Sequence, residues 1–308
     1  MDAEPILIIG AGQIGEALGR AFQERGERVV FWDNNPAKMR VPLTLEDAVK
    51  GARIIIFCVP TVAYDTLLLE PALNRQRDHV DILALSKGLL ENGETIDSAL
   101  EKAFGSRYAL LAGPMIAEEI NRGKHSFAML ATRDHDLALR LRSIFAGSRI
   151  CIDESSDVRG VAMAAVLKNV YTVLLGIADG LSLGANVRGW MVQRIMREMQ
   201  VILRAAGGDP KSVWELCGLG DLVATGTSRE SHNHETGRSI AQGNVDLWMG
   251  GEGIRSLTLV RQRYGEILGR HSLLALLEAI VMRSSAARAV TEQYLKDCFP
   301  AQSGFEKA

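Results

Sequence analysis

The sequence predicts an α/β fold, with an N-terminal, mostly parallel sheet followed by a second, all-helical domain. Three observations predict it. Short, wholly apolar runs alternate with amphipathic stretches over the first half of the chain. That alternation stops near Ser155, and the remainder shows helical periodicity broken by glycine-bearing stops. At 308 residues the chain is also long for one core. The natural division is residues 1–154 for a nucleotide-binding layer and 155–308 for a helical substrate and catalytic layer.

Pro5 to Ile9 reads as a buried parallel strand that runs into the turn GAGQIG, with glycines at Gly10, Gly12 and Gly15. A helix is expected from Ile14 to Arg25, then a second strand from Arg28 to Trp32. Strand, glycine turn and helix in that order point to a Rossmann-like dinucleotide site. Gly10 permits the turn, Gly12 lets the backbone approach a pyrophosphate, and Gly15 lets helix and strand pack closely. Gln13 and Ile14, on the same loop, are candidate cofactor contacts. Asp33 ends the second strand, where a carboxylate accepts hydrogen bonds from ribose and repels a 2′-phosphate. No arginine follows it directly, so NAD is preferred over NADP; a turn-capping role for Asp33 is the plainer alternative.

Three more buried strands follow, each ending in a short loop. They are Ile54–Cys58 before Val59-Pro60, Ile82–Leu85 before Ser86-Lys87-Gly88, and Tyr108–Leu111 before Ala112-Gly113-Pro114. Ligands of open parallel sheets bind beyond the carboxyl ends of the strands, which puts Pro60 and Lys87 on the binding edge. Ser126–Ala131 and Arg149–Ile152 are expected to extend the sheet, with a helix at about Asp134–Ala146 between them.

In the second half, Gly160 to Leu181 is an apolar helical stretch with Lys168 at its centre. A buried ammonium must reach water, find a partner, or shift its pKa. Its helical neighbours Val161, Ala164, Ala165, Tyr171, Thr172 and Leu175 carry no charge, so a lysine at the floor of a cleft is expected. Gly180 to Gly189 reads as a loop, Trp190 to Ala206 as a helix, and Gly207-Gly208-Asp209-Pro210 as its stop. The polar stretch Leu216 to Gly237 suits recognition of anions or hydroxyls, and an amphipathic helix is expected near Leu273–Met282.

Composition narrows the field. Apolar residues make up 47% and charged residues 23%, and the formal net charge is −2, which gives no reason to expect nucleic acid. Cys58, Cys151, Cys217 and Cys298 are scattered without metal-ligand spacing, as in a cytoplasmic protein. No run of about 18 uninterrupted apolar residues predicts a membrane span. His232 and His234 have a spacing open to metal, but no metal is expected.

Several blocks together resemble the bacterial type of NAD(P)-dependent glycerol-3-phosphate dehydrogenase. They are GAGQIGEALG at the start, SKGL from Ser86, LAGPMIAEE from Leu111, VLKNVYTVLLGIADGLSLGAN from Val166, GLGDLVATGTS from Gly218 and GEGIRS from Gly251. The resemblance spans nearly the whole chain. It implies reversible reduction of dihydroxyacetone phosphate to sn-glycerol 3-phosphate for phospholipid synthesis, and a homodimer. It also implies Lys168 as catalytic, Asn169 and Asp221 beside it, Lys87 and Thr225 at the substrate, and Ala117 and Glu252 at the cofactor.

The family's Ser-Arg-Asn triplet, which binds substrate phosphate and cofactor, falls without gaps on Ser231-His232-Asn233, so histidine replaces arginine. A gapped placement uses Ser228-Arg229, with Glu230 in the place of asparagine. Gln13-Ile14 and Glu16 also stand where the family has tryptophan and threonine, and Met115 where it has serine. Arginine grips phosphate through two parallel charged hydrogen bonds, which neutral histidine cannot do. Two other readings therefore stay open: a related reductase of another small keto compound such as ketopantoate, and a dinucleotide-binding protein that has lost catalysis.

Overall fold

The computed structural model describes residues 4–76, 79–244, 251–283 and 286–299. Its first half alternates β1 (Ile6–Ile9), α1 (Gln13–Gln23), β2 (Val29–Trp32), α2 (Leu45–Val49), β3 (Ile54–Phe57), α3 (Tyr64–Leu67), α4 (Pro71–Gln76), β4 (Asp81–Ala84), α5 (Ile96–Phe104), β5 (Tyr108–Ala112), α6 (Ala117–Asn121), β6 (Ser126–Ala131), α7 (His135–Phe145) and β7 (Ile150–Ser155). The seven strands form one sheet in the order β2-β1-β3-β4-β5-β6-β7, parallel throughout except where β6 meets β5. The order reverses between β1 and β3, which opens a crevice beyond their carboxyl ends.

Both faces of the sheet are covered, so β1, β3, β4 and β5 are buried along their length and need no polar alternation. On one face lie α1 and α7, with Phe22 and Phe145 edge to face at 5.3 Å. On the other, α5 shares its core with the helices of the second half. The helix termini follow local chemistry: Asp134 caps α7 by accepting from Leu137 N at 2.9 Å.

The second half comprises α8 (Val158–Gly180), α9 (Ala185–Ala206), α10 (Asp221–Thr227), α11 (His232–Ala241), α12 (Glu252–Leu268), α13 (Leu273–Met282) and α14 (Ala287–Cys298). A π-type turn, Leu216–Gly220, leads into α10. By length and composition α8 is apolar enough to cross a membrane, but its whole apolar window is buried inside the protein. Asp157 anchors its start, accepting from Gly160 N at 3.0 Å and, from beyond α9, from Asp209 N at 2.9 Å and Ser212 Oγ at 2.6 Å.

Two expectations from sequence are corrected. The Gly180–Gly189 loop shrinks to four residues, because α9 begins at Ala185 rather than Trp190. Ser182 and Gly184, both at positive φ, make the turn, and burial of Met191 and Ile195 outweighs the helical cost of Gly189. β7 runs on to Ser155, in parallel register with β6 up to Ala131, where the sequence suggests an end at Ile152.

Helices α8 and α11 meet backbone to backbone. A Cβ at Gly237 would overlap the Val173 carbonyl oxygen, and one at Gly176 the His234 carbonyl oxygen. Gly189, exposed in α9, has no atom within 4 Å of such a Cβ. Gly237→Ala should therefore cost about 3 kcal/mol by overpacking, whereas Gly189→Ala should gain about 0.5–1 kcal/mol. Urea unfolding of both variants checks the contrast; equal midpoints would refute the close helix contact.

Candidate active site

Four loops converge beyond the sheet's carboxyl edge: Gly10–Gly12 after β1, Val59–Thr61 after β3, Ser86–Gly88 after β4 and Gly113-Pro114 after β5. Gly10 turns at φ +104 with its Cα against the Cys58 carbonyl, so the first and second loops touch at the switch point. A Cβ at Gly12 would meet nothing within 4 Å, and Gly12 starts α1 without a side-chain cap. Space and unsatisfied first-turn N–H groups there fit a dinucleotide pyrophosphate. Gln13 and Ile14 open the helix, with Gln13 exposed.

Asp33 is buried at the end of β2, accepting from Ala11 N at 2.9 Å and from Asn35 N at 2.9 Å. It thus ties the glycine turn to the following loop, which is the capping role, while each oxygen retains a second lone pair. Lys38 Nζ stands 3.8 Å from its Oδ2, a cation that the sequence reading did not bring to this place.

The centre of the site is a single carboxylate oxygen. Asp221 Oδ2 lies 2.6 Å from Lys87 Nζ and 3.1 Å from Lys168 Nζ. These residues come from the loop after β4, the middle of α8 and the start of α10. Lys168 is 4% exposed and Asp221 1%, so the pair is shielded from water. Burial lowers the Lys168 pKa to about 8, with the Asp221 carboxylate pulling it up and the Lys87 ammonium pushing it further down.

Neighbouring groups hold this arrangement. Lys87 Nζ also donates to the Gly113 carbonyl at 3.1 Å, and Asn169 Nδ2 donates to the Lys87 carbonyl at 3.0 Å. Thr225 Oγ1 donates to the Asp221 carbonyl at 2.6 Å and meets Thr172 Oγ1 at 3.1 Å. Thr225 therefore stands behind Asp221 in the packing of α8 on α10. Thr172, whose hydroxyl also reaches the Lys168 carbonyl at 2.8 Å, completes this support.

The start of α12 closes the other side. Glu252 accepts from Thr61 N at 2.9 Å and from Thr61 Oγ1 at 3.0 Å, while Arg255 pairs with it at 3.2 Å. Thr61 follows Pro60 directly; sequence reading missed it, and only its place on the binding edge could have flagged it. A Cβ at Gly88 would overlap the Glu252 carboxylate, so that glycine lets the Lys87 loop pass beneath. Gly253 N donates to Asn233 Oδ1 at 3.1 Å, and the Gly253 Cα packs on the Asn169 carbonyl. Ala117 is buried at the start of α6, directly beyond Gly113-Pro114.

Ser231 caps α11, accepting from His234 N at 3.4 Å; His232 and Arg229 are exposed. His234 turns inward instead, with Nε2 2.9 Å from Asp179 Oδ2, and Arg188 pairs with the other Asp179 oxygen. The two histidines thus point to different faces, as positions two apart on a helix must. Burial raises the Cys58 and Cys217 thiols to about 12, which leaves them chemically quiet.

Comparisons with known proteins agree on one family. Residues 36–138 match the family model for the N-terminus of NAD-dependent glycerol-3-phosphate dehydrogenase, and residues 157–280 match the model for its C-terminus. The glycerol-3-phosphate dehydrogenase [NAD(P)+] of Deinococcus radiodurans is 33% identical, across 82% of this chain and 83% of that one. The enzyme of the same name from Pseudomonas entomophila is 26% identical across 96% and 95%. In fold, the chain is similar to glycerol-3-phosphate dehydrogenase from Coxiella burnetii, with a TM-score of 0.85 and 22% identity over 95% of this chain and 99% of that one. The chain belongs to the NAD(P)-dependent glycerol-3-phosphate dehydrogenase family.

Proposed function

We propose that the groups around Asp221 carry the family's reaction, reversible reduction of dihydroxyacetone phosphate to sn-glycerol 3-phosphate, with Lys168 moving the proton. The observation that supports this is the pair of ammonium groups on one buried carboxylate oxygen at the mouth of the dinucleotide crevice. Bound NAD(P)H supplies the hydride. Lys168 protonates the substrate oxygen as negative charge gathers there and takes the proton back in the reverse direction. Two ammonium groups facing one carboxylate leave a net positive site, which stabilises the developing alkoxide. Asp221 orients both lysines and keeps Lys168 protonated to a higher pH than burial alone would allow. Asn169 fixes the Lys87 backbone, and Thr225 fixes that of Asp221.

Ser231-His232-Asn233 is the better placement for the phosphate anchor. Asn233 is tied to Gly253, which itself packs on Asn169, so the triplet stands beside the catalytic helix. In the gapped placement, Glu230 would bring a carboxylate, already paired with Arg122 at 2.8 Å, toward an anion. His232 lacks the two-pronged fork with which an arginine would grip the phosphate. Arg229 is left as an exposed cation three residues upstream. NAD is the preferred cofactor, with Asp33 facing the ribose and Pro60, Ala117 and Glu252 lining the approach. Lys38 leaves some tolerance for the 2′-phosphate of NADP. A homodimer in the cytosol goes with this reading, the four free cysteines fitting a reducing compartment.

Lys168→Ala should lower kcat by about a thousandfold, within the range for lost acid–base catalysis, with NADH affinity within about twofold of the parent. Stopped-flow reduction and fluorescence titration measure the two. Retained turnover would sink the role, and turnover on ketopantoate but not on dihydroxyacetone phosphate would move the substrate.

The kcat for reduction should fall as pH rises through about 8, because the protonated form of Lys168 is then lost. Asp221→Asn removes the group that raises this pKa, so the alkaline limb should move to lower pH. A limb that stays put, or moves upward, contradicts the assignment.

His232→Arg should lower the KM for dihydroxyacetone phosphate about tenfold. Steady-state rates decide it; an unchanged KM places the phosphate elsewhere.

A further inference from the structure

We infer that a second anion site lies in the sheet-bearing half, apart from the catalytic groups, and that it takes a small phosphate-bearing molecule. A cavity of about 260 Å³ opens between the second half of α1, the end of α6 and the loop before β7. Arg20, Arg25, Lys124 and Arg149 line it, against one lining carboxylate, Glu24. Lys124 is engaged, lying 3.3 Å from Glu119. Among the described residues, Arg20, Arg25 and Arg149, all exposed, make no side-chain hydrogen bond and no ion pair. Three free guanidinium groups around one hollow, in a chain whose net charge is −2, are a local excess of positive charge.

Ordinary structural roles account for part of this. Arg20 stands in the last turn of α1, where a cation complements the helix dipole. That does not explain Arg149, which comes from the loop before β7, nor its convergence with Arg25 on the same hollow. The backbone makes room for Arg25: a Cβ at Gly147, which sits at φ +72, would stand 3.0 Å from Arg25 Nη1.

Guanidinium forks match phosphate oxygens two at a time, which selects phosphate over a simple halide or a lone carboxylate. The volume falls just below the usual small-molecule range of roughly 300–1,000 Å³, which excludes a dinucleotide and suits a phosphate on a short organic stem. The concave shape and the small number of cations argue against nucleic acid. The lining reaches from Ala17, one turn past the glycine loop, to Arg25 beyond the end of α1, and neither Gly10, Gly12 nor any catalytic group is part of it.

The inference does not rest on the assigned substrate. Calorimetric titration with inorganic pyrophosphate at saturating NADH, with sn-glycerol 3-phosphate left out because its phosphate competes for the same hollow, tests it in the intact protein. Wild type should bind one equivalent that the double arginine variant lacks, more weakly at higher salt. Arg25→Ala/Arg149→Ala should weaken binding at least tenfold per arginine removed, with kcat/KM in the absence of pyrophosphate and the melting temperature unchanged. Lys168→Ala should bind pyrophosphate as wild type does. No heat at millimolar pyrophosphate, or equal affinity in the double variant, overturns the site.

Discussion

An ammonium group in the middle of an apolar helix needs an opposite charge, and here Asp221 supplies it from a separate part of the chain. An isolated buried ion costs several kcal/mol, and only a close partner with further hydrogen bonds offsets that. The second lysine alters the balance. Burial is the main force that lowers the Lys168 pKa to about 8; Asp221 opposes it, and Lys87, drawing on the same oxygen, pushes the same way as burial. The proposed proton transfer draws on this incomplete compensation, because a fully paired lysine would hold its proton too tightly to exchange it.

Much of the surrounding structure serves to hold that triangle. Asp221 is fixed by Thr225, Thr225 by Thr172, and Thr172 by the turn of α8 that carries Lys168. Lys87 is fixed by Asn169, the next residue along the same helix. Glycines at the contact of α8 with α11 bring backbones together with no side chain between them, so neither helix can rotate about its axis without a clash. The lysine's direction is thus set by helix packing as well as by its ion pair.

The strands and the glycine turn were legible in the sequence because buried parallel strands are continuous apolar runs and the turn has fixed spacing. Lys168 was legible for the opposite reason, as a charge at the centre of an apolar helix. What stayed hidden depends on tertiary contact. Nothing in the local pattern joins Thr61 to Glu252 or brings Lys38 toward Asp33. The extra turn of α9 was hidden because glycine and asparagine weigh against a helix until Met191 and Ile195 are seen to be buried. The shared oxygen between the two lysines was likewise beyond a one-dimensional reading, since it depends on where three separate elements end.

The bond from Glu252 to Thr61 spans 191 residues, and that between Lys87 and Asp221 spans 134. Such contacts carry a temporal consequence. A ribosome adding about 5–20 residues per second takes roughly 10–40 seconds to travel from Thr61 to Glu252. During that interval the sheet can form and its glycine turn can close, but the Thr61 loop lacks the carboxylate that holds it. The contact that ties the Thr61 loop to the helical half is thus withheld from the nascent chain until α12 emerges.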